Sequence, residues 1–193
     1  MRTKMIVLAV TLLSVCAALS AQDKNAVDKR VQLARSLYPQ RLEKIASVRQ
    51  YERDEIPNVN YTTVVRKQNW AGAGQSADKT EYFYAEKEAE GEPNPVGYVL
   101  LIVRRTYNMG SRDVFEEFVY DDDGNPLFWF SKSGYDGEKK VELRGYFSAN
   151  GLLIRSLTKG TDDKELVQHD FDAAKKNILS YKKAFQTLYG VVY

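Results

Sequence analysis

Three pairs, Asp123-Gly124, Asp136-Gly137 and Asn150-Gly151, recur at steps of 13 and 14 residues in the second half of the chain. Each is a hairpin signal, because glycine reaches positive φ without steric cost. The segments between them are rich in Tyr, Phe, Val and Leu, residues that suit a pleated, half-buried surface. Links this short join only antiparallel neighbours, since a parallel pair needs a crossover of a dozen residues or more. The pattern therefore predicts an antiparallel meander. Strands are expected near 60–69, 80–87, 97–107, 113–121, 126–132, 139–148 and 152–158. Gly72 to Ala77 and Gly91-Glu92-Pro93-Asn94-Pro95 read as loops by composition.

Both flanks of this strand region carry helical periodicity. Val27, Val31, Ala34, Leu37 and Tyr38 recur at three- and four-residue steps, and Leu42, Ile45 and Val48 continue the stripe. Pro39 interrupts it, and a proline that cannot donate an interior bond should kink or restart the helix. Pro57 and Asn58 close this segment. Near the C-terminus, Asp162 and Glu165 resemble a capping box, and Val167, Phe171, Ala174, Ile178, Tyr181, Phe185 and Leu188 line one long face. Gly190 stands where a C-terminal cap would. The expected fold class is α+β: a six- or seven-stranded antiparallel meander sheet flanked by an N-terminal helical segment and a long C-terminal helix.

Two of the hairpins repeat. Tyr120-Asp121-Asp122-Asp123-Gly124 precedes Leu127 and Phe130, and Phe147-Ser148-Ala149-Asn150-Gly151 precedes Ile154 and Leu157, with every matching pair 27 residues apart. This unit resembles the β-hairpins of YD-type and MORN-variant repeats, and the strand–turn–strand units of uncharacterised secreted bacterial proteins. Two copies are fewer than the three or more a solenoid needs. The resemblance implies meander geometry and no activity.

The first residues read as an export signal. Arg2 and Lys4 precede an apolar run over 5–13, extended by Val15 to Leu19, and small Ser20 and Ala21 precede polar Gln22. The expected organisation is a signal peptide over 1–21 and one α+β domain over 22–193, outside the cytoplasm in periplasm or medium. A retained N-terminal anchor is the rival reading. So is lipidation of Cys16, although Val15 stands where such a motif has a small residue. Cys16 is the sole cysteine, so residues 22–193 contain no disulfide or thiol nucleophile. The chain has 28 Lys and Arg against 26 Asp and Glu. Arg2 and Lys4 belong to the signal and no acid does, so the remainder is balanced. A nucleic-acid partner, which needs a clustered basic surface, is not expected. No segment after the signal has the roughly 20 apolar residues of a transmembrane helix.

Few residues offer chemistry. Asp121, Asp123 and Asn125 imitate the start of a calcium loop, but Pro126 and Lys132 stand where that loop requires Gly and Glu. The expected reading is an ordinary acidic turn. His169 is the only histidine, which rules out a His-rich zinc site, and no G-x-S-x-G elbow supports a serine hydrolase. Glu116 and Glu117 are adjacent on a predicted strand and so face opposite sides. They and Glu142 read as solvent-face acids. No catalytic residue, cofactor or metal is expected.

The aromatic strands carry the functional expectation. Leu127-Phe128-Trp129-Phe130, Tyr82-Phe83-Tyr84 and the run over 98–103 are apolar in both directions. A strand wet on one side should alternate, so both faces of the sheet are expected to be covered. Where a cover is only loop, an aromatic groove results, with Trp129, Trp70 and Tyr84 as its floor. The expected function is an exported, non-enzymatic binding or envelope-interaction protein. A glycan is the first ligand class, because flat aromatic faces suit sugar rings. The alternative is an exported hydrolase acting on glycan or peptide, for which a convergent pocket holding His169 or two acids would speak.

Overall fold

A computed structural model describes residues 24–46, 59–70, 74–87, 96–135, 140–161 and 163–189. The signal segment, the proline-rich stretch over 91–95, Asp136-Gly137, Asp162 and Gly190 lie outside the described residues, and for Trp70 the strand position alone is described.

Helix α1 (24–46) leads into seven strands: β1 (Asn60–Trp70), β2 (Gly74–Lys87), β3 (Gly97–Met109), β4 (Arg112–Tyr120), β5 (Pro126–Tyr135), β6 (Val141–Phe147) and β7 (Leu153–Lys159). Helix α2 (Lys164–Tyr189) follows. The strands form one sheet in sequence order, and every neighbouring pair is antiparallel. This is the expected α+β meander with both flanking helices. No helix among the described residues is long and apolar enough to cross a membrane.

The non-alternating strands are apolar because each face has its own helix. Tyr82, Tyr84, Phe118, Trp129 and Phe147 point to one side and join Phe171, Ala174, Ile178 and Phe185 of α2. Their strand neighbours Phe83, Val119, Phe128 and Tyr146 point to the other and join Val31, Ala34, Leu37 and Ile45 of α1. Two cores thus share one sheet, in the helix-on-sheet layering that buries an amphipathic stripe. Tyr120, fully buried, donates its hydroxyl to the Ile178 carbonyl at 2.7 Å. Tyr120→Phe should cost about 1 kcal/mol, read from the urea midpoint, and no change would mean that α2 sits off this contact.

Several local expectations are revised. Residues 74–77 pair with 67–70 as strand rather than forming a loop. A Gly- and Ser-containing composition does not outweigh a partner strand that satisfies its backbone groups. The helical assignment of α1 runs unbroken through Pro39, so of the expected kink or restart, the restart does not occur. Pro39 is exposed, so the carbonyl that loses its partner can face water. The N-cap of α2 is Asp163, whose Oδ1 accepts the Leu166 N–H at 3.0 Å. That shifts the cap one residue from Asp162 and removes Glu165 from a capping box. At the far end Leu188 is 61 % exposed, while Tyr189 packs on Tyr84 and Tyr98. The step from Phe185 to the sheet is therefore four residues, not three. Glu116 and Glu117 face opposite sides as expected, but both are buried rather than solvent-facing, because each face is covered by a helix.

Candidate functional site

The β4–β5 turn is anchored from both helices. Asp121 Oδ1 accepts the backbone N–H groups of Asp123 at 3.0 Å and Asn125 at 2.8 Å. Gly124, at φ +71°, supplies the left-handed position that a β-carbon would penalise. From α1, Arg30 reaches Asp121 Oδ2 at 2.9 Å and the carbonyls of Phe147 and Pro126, and Arg41 pairs with Asp122. From α2, Lys182 Nζ donates to Asn125 Oδ1 at 3.0 Å. The carboxylate that imitates a calcium ligand is thus spent on backbone and arginine contacts. Both helices hold the turn, and Asp123 is left exposed at its tip.

Beside this turn lies a cleft of about 260 Å³ between the start of β3 and the C-terminal half of α2. Half-buried Tyr98 supplies aromatic surface, backed by buried Phe185, and Asp123, Lys182 and Gln186 supply polar groups. Behind the lining stands an aromatic cluster: Tyr84 lies 5.4 Å from Tyr98 and 5.3 Å from Phe185, ring centre to ring centre. Tyr189 completes it at 4.6 Å from Tyr84, and its hydroxyl pairs with Thr62. Burial, then the hydrogen bond to Tyr189, raises the Tyr84 phenol above its ordinary pKa.

The three residues expected to floor one groove are dispersed. Tyr84 adjoins the cleft from behind. Trp129 is 1 % exposed and lies under the first half of α2, 5.5 Å from the Phe171 ring. Trp70 is at the opposite end of β1 from Asn60, the residue paired with Tyr84, a separation of roughly 33 Å along a ten-residue strand step. Tyr98, Phe185 and Gln186 were not singled out by sequence as site residues. Phe185 was legible as a stripe residue and Asp123 as a turn residue, but only the packing of α2 on the turn brings them together.

A second pocket, of about 50 Å³, lies under the N-terminal half of α2 and is lined by Tyr107, Arg112, Glu116, His169, Asp170 and Asn177 among others. His169 sits on the outer flank of α2 with 73 % of its side chain exposed, and its Nδ1 is 3.6 Å from Asp170 Oδ1. Glu116 forms the floor, at 4 % exposure. Its Oε1 accepts the Trp129 indole N–H at 3.1 Å, and burial is the largest cause of a carboxyl pKa pushed up to about 7.

Compared with known proteins, the chain matches no family model, no curated protein and no solved structure.

Proposed function

We propose that this chain is an exported, non-enzymatic binding protein that takes a segment of an envelope glycan in the cleft beside the β4–β5 turn. One observation carries the reading: the half-buried Tyr98 ring, backed by buried Phe185, faces the same cavity as the Asp123 carboxylate, the Gln186 amide and the Lys182 ammonium. A sugar ring presents an apolar C–H face and a rim of hydroxyls, and this combination answers both. The cavity, at about 260 Å³, is close to the roughly 300 Å³ lower end of small-ligand sites, which suits one or two sugar units better than an extended chain. The turn is held from both helices, so its polar groups are pre-positioned and binding orders little. The export reading of residues 1–21 would place the cleft among such ligands.

Asp123→Ala tests this reading, because the side chain is exposed and the turn is built by Asp121. Retention on extracted envelope polysaccharide should weaken about tenfold or more, as for loss of a charged hydrogen-bonding group. The melting temperature should change little. Wild-type protein that is not retained, or a variant retained equally well, would refute the site.

Hydrolysis is the second reading, favoured by the convergence of His169, Asp170 and Glu116 on one pocket. Its geometry speaks against substrate entry. The void of about 50 Å³ has room for only one or two waters, and Glu116 Oε2 is sealed from solvent. Release of reducing ends from the same polysaccharide would favour hydrolysis over binding.

A further inference from the structure

Glu116 poses a question that the cleft does not answer. Its Oε1 is used by Trp129, but Oε2 is buried with no hydrogen-bond partner. The nearest cation, Arg105, holds its Nη1 3.6 Å away. That guanidinium is already committed: Nε and Nη2 donate to Asp78 at 3.0 and 2.7 Å, and it lies over the Tyr107 ring at 3.9 Å. From β4 and α2, Arg112 pairs with Asp170 at 3.5 Å and with Ser133. His169 and Tyr181 are the other titratable groups that α2 turns towards this region.

Three acids face two arginines here: Arg105 hydrogen-bonds Asp78 and stands 3.6 Å from Glu116, and Arg112 pairs with Asp170. An ionised Glu116 would be a fifth charge without a full partner, buried where desolvation is costly. A protonated Glu116 leaves both pairs balanced and still accepts the indole N–H. Beside it is a void of about 50 Å³ lined with polar groups, enough for one or two waters.

We propose that Glu116 is a proton-operated latch on the seam between α2 and the sheet: protonated, it keeps the seam dry, and on losing its proton to solvent it draws water into the pocket beside Trp129. The raised carboxyl pKa, about 7 through burial, puts the transition at neutral pH. The sign follows from proton linkage. The folded state holds a proton that the unfolded carboxyl releases near pH 4.5, so stability falls as pH rises from about 4.5 to 7 and is level above that.

The test compares the full chain with Glu116→Gln, which imitates the protonated acid. Between about pH 5 and 7.5 the wild-type melting temperature should drop by about 4–8 °C relative to the variant. Histidine ordinarily titrates near neutrality, so His169→Asn is the control and should keep the wild-type profile. In a Trp70→Phe background, Trp129 fluorescence reports the seam directly. Its emission should shift to longer wavelength with a midpoint near pH 7, whether or not the Gln variant folds. A Glu116→Gln profile parallel to wild type, a transition abolished by His169→Asn, or a Trp129 signal unchanged from about pH 5.5 to 8.5 would each overturn the latch.

Discussion

Trp129→Ala should lower the unfolding free energy by about 3–5 kcal/mol, the range for truncating a large aromatic in a core. Trp129 is among the largest fully buried side chains, 6.4 Å from the Phe118 ring and 5.5 Å from Phe171. Alanine would open a cavity between β4, β5 and the first turns of α2, where neighbours on a sheet cannot collapse inward. It would also strip Glu116 Oε1 of its donor, leaving both carboxyl oxygens without a hydrogen bond. Urea unfolding at neutral pH measures the loss, and Trp129→Phe, which keeps a ring and drops only the N–H, should cost less. Trp129 lies two strands from β3, which carries Tyr98, roughly 10 Å across the sheet, and it packs on the same helix whose Lys182, Phe185 and Gln186 line the cleft, so an unseated α2 should weaken binding there as well. A loss under about 1 kcal/mol would mean that α2 does not seat on this residue and that the indole is free to serve a ligand.

The meander was legible because its information is local. Asp123-Gly124 and Asn150-Gly151 fix the two turns at which Gly124 and Gly151 take positive φ, and each is read from two residues. The cover on both faces was legible too, since Leu127 to Phe130 fails to alternate and sequence periodicity reports burial on each side. The errors fall where tertiary partners decide. The start of β2 depends on β1 continuing to Trp70. The last contact of α2 depends on Tyr84 and Tyr98 waiting four residues beyond Phe185, at Tyr189.

The acids show the same division. Period two correctly sent Glu116 and Glu117 to opposite faces, but nothing local says that Arg104 and Tyr38 await one and Trp129 the other. Those partners are 13 and 79 residues from Glu117, and 13 from Glu116. The cleft was the least legible feature. It is made by a turn, a strand start and a helix end that are distant in sequence, and none is unusual alone. Asp121 sits in the β4–β5 turn that the Asp123-Gly124 pair predicts, yet its role in fixing Asp123 between two helices emerges only when Arg30 and Lys182 are in place.

Arg104→Ala is the second large effect, with an expected loss of about 3–5 kcal/mol, because it leaves a buried carboxylate without its cation. Arg104 donates from both Nε and Nη2 to Glu117 Oε1, at 2.9 and 2.6 Å, and the Glu117 side chain is 2 % exposed. The remaining oxygen takes the Tyr38 hydroxyl of α1, which a neutral donor cannot make into full compensation. The guanidinium also covers the rings of Phe83 and Phe115, at 5.9 and 5.5 Å, so alanine loses packing as well as charge. A double-mutant cycle separates the two. Adding Glu117→Gln to Arg104→Ala removes the stranded charge and should recover a substantial part of the loss, giving a coupling energy within the 0.5–3 kcal/mol seen for contacting residues, on the order of its upper end. Purely additive costs would show that the pair contributes only volume. The variant also bears on binding. Tyr38, Arg30 and Arg41 share α1, and Arg30 and Arg41 fasten the β4–β5 turn. A sheet that loses its hold on α1 through Glu117 loosens the turn that presents Asp123. Polysaccharide retention by the folded Arg104→Ala protein should therefore fall although Arg104 lies outside the cleft.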